Sequence, residues 1–203
     1  MNNRKTITIA WTGASGINYG LKLVEEIVKQ DIKVILLISD AAKVVLKAEH
    51  DIDIMGDAVE LQSKIKQIYP DHWQLIKTYD KKDWFCPAAS GSNTSDAMVV
   101  CPCSSSTLSS IANGSSNNLI ERAADVTIKE KKKLIIVPRE TPISVLHLEH
   151  MLKLAKLNTT IIPASPAFYH KPNTISDLVD FIVERILDHL DLSKETAKRW
   201  GKQ

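Results

Sequence analysis

The chain has 203 residues, of which 44% are hydrophobic, 25% are charged and 5% are aromatic, and its formal net charge is +2. This composition is typical of an ordinary globular protein and excludes a disordered or collagen-like chain. A chain of this length buries roughly 70% of the surface that it exposes when unfolded, which suffices for one core. We therefore expect a single domain over residues 1–203.

The hydrophobic pattern alternates strands with helices. Five runs rich in β-branched or aliphatic residues predict strands, at 6–10, 34–38, 97–101, 134–137 and 159–162. Each is followed by a helical pattern, and Ser39 and Asp40 form an N-cap pattern for the second helix. A helix with a clear apolar stripe at about 174–191 closes the chain. This alternation predicts an α/β fold with a three-layer, doubly wound parallel sheet of the Rossmann or flavodoxin type.

The segment 51–91 interrupts this alternation. It is polar, no strand is predicted in it, and it carries five of the aromatic residues, namely Tyr69, Trp73, Tyr79, Trp84 and Phe85. We interpret the segment as an insertion that serves as a lid or as a contact between subunits.

Three features bear on location and partners. The longest apolar runs, such as 34–38, are far shorter than the ~20 residues that cross a bilayer. Cys86, Cys101 and Cys103 are odd in number and follow no secretion signal, so a disulfide framework is not expected. The nearly balanced charge argues against a nucleic-acid partner. We therefore expect a cytoplasmic protein with no membrane or nucleic-acid partner.

Polar residues follow each predicted strand at its carboxyl end, where open α/β sheets bind their ligands. They lie in five loops, at 12–16, at Ser39, at 103–107, at Arg139 and Glu140, and at Ser165 and Tyr169. Because parallel strands end at the same edge of a sheet, we expect these five loops to meet on one rim.

The first of these loops contains Gly13 and Gly16 and leads to Gly20. A helix that begins there could hold a phosphate with its free N–H groups and its positive dipole end. The spacing GxxGxxxG differs from the GxGxxG of dinucleotide enzymes. The glycines could instead simply let the helix pack closely on the sheet, so both interpretations stay open.

The later loops carry further candidates. The hydroxyls and backbone donors of 104–107 could surround an anion or a polar ring edge, although a plain serine-rich loop fits equally well. Arg139 and Glu140 precede Thr141 and Pro142, and Pro142 suits the first position of a helix. For this charged pair, a rim position facing a charged ligand is favoured over a surface ion pair.

Three patterns suggest metal or nucleic acid but fit other structures better. Cys101 and Cys103 lack the second ligand pair of a zinc site. His147 and His150 form HxxH beside an apolar stripe that we expect to face the core, and no zincin motif is completed. The basic run 129–133 contains Glu130 and precedes a strand, which favours a solvated turn.

Five sequence motifs together resemble the UbiX-type flavin prenyltransferases, which belong to the homo-oligomeric flavin-containing decarboxylase-like superfamily. The motifs are TGASG at 12–16, SDAA at 39–42, CPCSSSTLSSIANG at 101–114, NNLIERAADVTIKE at 117–130 and PRETP at 138–142. PRETP discriminates within the superfamily, because a pantothenate-pathway cysteine decarboxylase would carry a proline-methionine-asparagine motif there. Such an enzyme would also have a catalytic histidine after the first helix, and neither feature is present.

The resemblance implies an activity, a cofactor and partners. Dimethylallyl phosphate would prenylate reduced FMN at N5 and C6, without a metal, so that FMN is a substrate as well as a ligand. The product, prenyl-FMN, would serve a UbiD-type decarboxylase. The resemblance further implies self-association into trimers that assemble into larger shells such as dodecamers.

The resemblance also assigns roles to individual residues. It implies flavin-binding positions at Gly13, Ala14, Ser15, Ser39, Ser104, Ser105, Ser106, Thr107 and Arg139. It implies donor-binding positions at Ser90, Arg122, Lys129, Tyr169 and Arg185, with Tyr169 and Arg185 reaching the phosphate from a neighbouring subunit. The catalytic positions implied are Ser15, Glu49, Lys129 and Glu140.

The residue chemistry agrees with these roles. Breaking an allylic C–O bond leaves negative charge on the departing phosphate, which cations such as Arg122, Lys129 and Arg185 would stabilise. Two alternatives stay open: a flavin-dependent cysteine decarboxylase of the same superfamily, and a non-catalytic FMN-binding electron carrier. A carrier would not need three cations near one phosphate.

Overall fold

A computed structural model describes residues 4–56 and 58–193 of the chain. Over these residues the strands are β1 (Thr6–Trp11), β2 (Lys33–Ile38), β3 (Ile76–Thr78), β4 (Ala97–Cys103), β5 (Lys133–Pro138) and β6 (Thr160–Ile161). The α-helices are α1 (Ile17–Val28), α2 (Asp40–His50), α3 (Ala58–Ile68), α4 (Ser105–Ala112), α5 (Leu119–Lys129), α6 (Val145–Ala155) and α7 (Ile175–His189). In this part of the chain, the helices are too short or too polar to span a bilayer.

The strands form one parallel sheet in the order β3-β2-β1-β4-β5-β6. The predicted doubly wound α/β class is confirmed, and the strand order reverses between β1 and β4. A crevice opens at such a reversal beyond the carboxyl ends of the strands, because the two following connections leave toward opposite faces of the sheet.

The prediction that 51–91 contains no strand is wrong. The segment supplies α3 and the edge strand β3, in which Ile76 pairs with Val34 and Thr78 pairs with Leu36. β3 has only three residues and Lys77 stands at its centre, so it shows no apolar run. Its pairing with β2, a long-range contact, makes it a strand.

Alternate strand residues supply two cores, one on each face of the sheet. Ile7, Ile9 and Trp11 face the layer that contains α1 and α7. Met98 and Val100 face the layer that contains α4 and α5. Each large aliphatic or aromatic side chain that is fully buried contributes about 1.5–3 kcal/mol to folding. Because such side chains pack on both faces, the sheet is held rigidly beneath the rim.

The apolar stripe predicted to bury one face of α6 is instead exposed. Val145, Leu148 and Leu152 are 69%, 55% and 56% exposed, and α6 packs inward through Leu154. The helix has apolar residues on both sides, so its sequence pattern does not identify the buried one. α6 therefore presents an apolar face to its surroundings.

The start of α6 also differs from the prediction. Ser144 is the N-cap, its hydroxyl accepts the N–H of His147, and the Nδ1 of His147 accepts the N–H of Ser144. Pro142 precedes this cap and lies outside the helix. His147 thus completes the capping box at the start of α6.

Candidate functional site

The loops that follow the strands meet on one rim, as the sequence predicts. The N–H of Ser39 donates to the carbonyl of Trp11 over 3.1 Å, which joins the loop after β2 to the end of β1. The N–H of Ala164 donates to the carbonyl of Pro138 over 3.0 Å, which joins the loop after β6 to the end of β5. Backbone hydrogen bonds therefore tie the rim loops to neighbouring strand ends on both sides of the sheet.

Arg139 bridges the two sides of the strand-order reversal. Its Nε donates to the carbonyl oxygen of Ser15 over 3.1 Å, so the loop after β5 contacts the loop after β1. Within residues 4–56 and 58–193, no carboxylate oxygen lies within 4.0 Å of its guanidinium. A cation that is fixed at a crevice and lacks such a partner can bind an anionic ligand.

Glu49 occupies the N-terminus of α1. Its carboxylate accepts the N–H of Gly16 and the N–H of Ile17, each over 3.1 Å. A carboxylate is favourable there because it meets the positive end of the helix dipole. The sequence left open whether free N–H groups at this helix start hold a phosphate; in the structure Glu49 binds two of these groups.

Two of the hydroxyls assigned to flavin binding cap helices. The Ser39 Oγ accepts the N–H of Ala42 at the start of α2. The Ser104 Oγ accepts the N–H of Thr107 at the start of α4 and donates to the Thr107 hydroxyl over 3.1 Å. Ser106, in the same turn, is exposed. The 104–107 turn therefore has a fixed shape as well as a polar surface.

Glu140 is held as a carboxylate on the rim. One oxygen accepts the hydroxyl of Ser105 over 2.7 Å and the other accepts the N–H of Thr141 over 3.1 Å. The hydrogen bond from Ser105 lowers the pKa of Glu140 below its usual value, and the Thr141 N–H and the positive charge of Arg139 act in the same direction. Glu140 is thus ionised at neutral pH and has a free carboxylate to offer, although the same hydrogen bonds make it a weaker base than an ordinary glutamate.

A second group of predicted residues consists of Arg122 and Lys129 on α5 and Ser90 beside it; we call it the α5 cluster. The Nε of Arg122 donates to the carbonyl of Ala89 over 3.1 Å, which places it beside Ser90. A Cβ added to Gly91 would lie 2.6 Å from the Nζ of Lys129. The structure therefore brings these three residues together.

The cations of the α5 cluster already contact acids. Arg122 pairs with Asp125 over 3.0 Å, and Lys129 pairs with Glu130. Both pairs are partly solvated, so each contributes little to stability and can exchange for a phosphate.

Arg185 and Tyr169 are not near the α5 cluster. Arg185 lies on α7 and donates to Asp188 over 2.7 Å. Since α7 and α5 pack on opposite faces of the sheet, the sheet separates Arg185 from Lys129. Tyr169 is exposed in the loop after β6, with its ring centroid 6.1 Å from that of Phe181. One chain alone therefore does not gather the predicted cations around one phosphate.

The 80–86 segment has a place at the rim that was not predicted from the sequence. Lys81 pairs with Asp40, next to Ser39, and the Lys81 carbonyl accepts the N–H of Leu119. The segment thus passes along the carboxyl edge of the sheet, and the exposed ring of Trp84 follows shortly after this crossing. The aromatic cluster in the sequence was the available signal.

The three cysteines are free and buried. Burial raises the pKa of Cys86 to about 11 and raises the pKa values of Cys101 and Cys103 further, because a thiolate is poorly solvated there. None of the three is therefore suited to act as a thiolate nucleophile at neutral pH.

Comparisons with known proteins show the family of the chain. The family model described as Flavoprotein matches residues 1–187. The flavin prenyltransferase UbiX of Pseudomonas aeruginosa is 46% identical over 203 residues, which cover 100% of this chain and 97% of that protein. UbiX of Methanocaldococcus jannaschii is also 46% identical, over 195 residues that cover 96% of this chain and 98% of that protein.

Solved structures give the same grouping. The crystal structure of AnUbiX (PadA1) in complex with FMN and dimethylallyl pyrophosphate has a TM-score of 0.87, 35% identity, and coverage of 99% of this chain and 100% of that chain. A dodecameric FMN-dependent UbiX-like decarboxylase from Escherichia coli O157:H7 has a TM-score of 0.83, 33% identity, and coverage of 97% and 100%. The structure of a PPC decarboxylase mutant is only 16% identical at a TM-score of 0.61 and shares the fold alone. The chain therefore belongs to the Flavoprotein family and, within it, to the flavin prenyltransferases.

Proposed function

We propose that this chain joins the dimethylallyl group of dimethylallyl phosphate to N5 and C6 of reduced FMN and releases phosphate. The observation that carries the proposal is the rim itself, where Arg139, held by Ser15 and free of a carboxylate partner among the described residues, stands beside the ionised Glu140. Such a site can bind an anionic, polar ligand and can also accept a proton.

FMN fits the rim in its chemistry. The positive charge of Arg139 and the hydroxyl groups of Ser15 and the 104–107 turn suit a ligand that carries a phosphate and a polar ring edge. Reduced FMN, when bound, supplies the two nucleophilic ring positions. The rigid sheet below the rim holds these side chains in place, which favours a reaction that depends on the positioning of two reactants.

The α5 cluster would bind the phosphate ester. Lys129 and Arg122 would stabilise the negative charge that develops on the phosphate as the allylic C–O bond breaks. Arg185 would add a third cation and Tyr169 a hydroxyl donor. Since these groups lie on opposite faces of the sheet in one chain, Arg185 and Tyr169 would come from a neighbouring subunit.

Proton transfer falls to the carboxylates of the rim. Glu140, which is ionised on the rim, would accept the proton that leaves C6 when the new bond forms. Glu49, at the start of α1, places a second carboxylate next to Ser15. The Ser15 hydroxyl, which is exposed on the same loop, would donate a hydrogen bond near N5.

We further propose that the site is complete only in an oligomer, a trimer that assembles into a dodecamer. The exposed apolar face of α6 supports self-association, because Val145, Leu148 and Leu152 form a patch beside the loop that carries Glu140. Contiguous apolar patches of this kind mark protein interfaces. A copy seated there would lie next to the rim.

The decisive experiment is anaerobic incubation of the protein with reduced FMN and dimethylallyl phosphate, followed by mass analysis of the extracted flavin. We expect a flavin heavier by one C5H8 unit, together with one free phosphate per flavin. Parallel reactions use dimethylallyl pyrophosphate, no donor, or a chelator, and we expect the chelator to have no effect. An unchanged flavin mass with the folded protein would refute the prenyltransferase proposal.

Two further measurements separate the alternatives. Release of carbon dioxide from a peptidyl or pantothenoyl cysteine with oxidised FMN would identify a cysteine decarboxylase. An electron carrier would exchange electrons with no covalent change in its flavin.

To test the proposed downstream partner, the product is added to a UbiD-type decarboxylase purified without cofactor, and we expect decarboxylase activity to appear.

A further inference from the structure

We infer that Thr12 is a positioning residue whose buried hydroxyl fixes the loop after β1 against the loop after β4. Thr12 is 0% exposed. Its Oγ1 donates to the carbonyl of Pro102 over 2.8 Å and accepts the N–H of Ser104 over 2.8 Å. Both loops belong to the rim, so the consequence for FMN rests on the proposed function.

The hydroxyl lies where the ladder between the two strands ends. β1 and β4 are paired as far as Ala10 and Val100. Two residues further on, Pro102 has no N–H to donate, so a regular ladder cannot continue through it. The Thr12 N–H donates to the Pro102 carbonyl over 3.3 Å, and the Thr12 hydroxyl donates to the same carbonyl and accepts the N–H of Ser104.

The constraint extends from Thr12 to both predicted binding loops. The carbonyl of Thr12 accepts the N–H of Ala14 over 2.8 Å, which closes the turn that presents Ser15 to Arg139. On the other side, Ser104 is the N-cap of α4 and holds Thr107. One buried hydroxyl thus fixes the distance between the loop after β1 and the loop after β4.

Thr12 cannot touch a ligand while it is fully buried, so it acts only through its neighbours. Thr12→Val keeps the shape of the side chain but leaves the N–H of Ser104 without this acceptor. Thr12→Ser keeps the hydroxyl. If Thr12 served stability alone, Thr12→Val and Thr12→Ser would lower the free energy of unfolding without weakening FMN binding.

Thr8 offers a matched control in the same strand. Its hydroxyl is also buried and is hydrogen bonded to the Ser95 hydroxyl over 2.6 Å. It lies four residues from Thr12, about 13 Å away along an extended strand. Thr8→Val therefore removes a buried hydroxyl without touching either rim loop.

The first test is a fluorescence titration of each folded variant with FMN. We expect Thr12→Val to bind about tenfold more weakly than the unmodified protein, which corresponds to ~1.4 kcal/mol. We expect Thr12→Ser and Thr8→Val to bind within about threefold of it. Equal affinity of Thr12→Val and the unmodified protein, or an equal loss in Thr8→Val, would overturn the inference.

The second test needs no flavin. Amide hydrogen exchange of the peptide that contains Ser104 should become about tenfold faster in Thr12→Val and should not change in Thr8→Val. Unchanged exchange in Thr12→Val would reject the role of the hydroxyl. If the unmodified protein did not bind FMN, the proposed function would fail while this measurement still decided whether Thr12 fixes the loops.

Discussion

The Ser105 hydroxyl donates a hydrogen bond of 2.7 Å to the carboxylate of Glu140, which joins the loop after β4 to the loop after β5. Among the interactions that lower the pKa of Glu140, this hydrogen bond has the largest effect. Glu140 therefore stays ionised to a lower pH than an ordinary glutamate.

Ser105→Ala should raise the pKa of Glu140 toward its usual value. The carboxylate then becomes protonated at a higher pH, so the acid limb of the pH–rate profile should move to higher pH. The profile is measured as prenylated flavin formed per unit time. Ser106→Ala, an exposed neighbour in the same turn, is the control, and an acid limb at the same pH in all three proteins would contradict the expectation.

Glu49→Ala should destabilise the fold modestly, because it leaves the N–H groups of Gly16 and Ile17 without their carboxylate. We expect a loss of about 0.3–1 kcal/mol in the free energy of unfolding, measured in urea at low salt. Glu49→Gln keeps an acceptor without the charge and should lose less. The difference from the unmodified protein should shrink at high salt, and a loss independent of salt would speak against the helix-dipole explanation.

Gly20→Ala should destabilise the protein, although alanine normally favours a helix interior over glycine. The added Cβ would lie 2.6 Å from the carbonyl oxygen of Cys101 and 2.6 Å from the Nε1 of the buried Trp11. Neither group can move easily, so we expect a loss of about 1–3 kcal/mol in the free energy of unfolding.

Gly91→Ala is the control for this clash, because its Cβ would meet only the flexible ends of Lys129 and Glu130. We expect that variant to unfold within about 0.5 kcal/mol of the unmodified protein. Equal effects of the two substitutions would show that the contact with Trp11 and Cys101 is not the cause.

Mixed oligomers should test whether a site draws on more than one chain. Arg185→Ala alone and Lys129→Ala alone should each be strongly impaired in turnover. After the two variants are unfolded and refolded together, about a quarter of two-chain sites would contain both intact residues, so activity should return to that level. No recovery in a verified mixed oligomer would place both residues in the same chain's site.

Leu148→Glu should weaken self-association, because it places a charge in the exposed apolar face of α6. We expect sedimentation to show smaller species, with turnover reduced in proportion if the site needs a neighbouring copy. Met55→Glu, at an exposed apolar residue in the loop after α2, should leave the assembly intact. Unchanged assembly of Leu148→Glu would exclude this face as the contact.

The sequence indicated the central elements well because their signals are local. The apolar run of β2 and the cap at Ser39 each depend on a few adjacent residues. β3 was missed because a strand of three residues with Lys77 at its centre exists only through its pairing with β2. The bonds from Glu49 to the start of α1 join residues more than thirty positions apart, and no local pattern specifies such a contact.

The candidate site, like the fold, could be predicted from the sequence only in part. The motifs place Ser15, Arg139 and Glu140 at strand ends, and the strand order then brings them together. The exposure of Leu148 on α6 could not be predicted, since a helix with apolar residues on two sides gives no sign of which side the sheet covers. Whether a second chain covers the other side is a property of the assembly.

The sheet that separates Lys129 from Arg185 has a consequence for inheritance. If each polypeptide contributes to more than one catalytic centre, then one defective copy disables centres that its intact neighbours also build. Co-expression of the normal chain with a double variant that lacks both Lys129 and Arg185 would therefore lower activity by more than the variant's share of the total. Such dominant interference would follow from the topology of a single subunit.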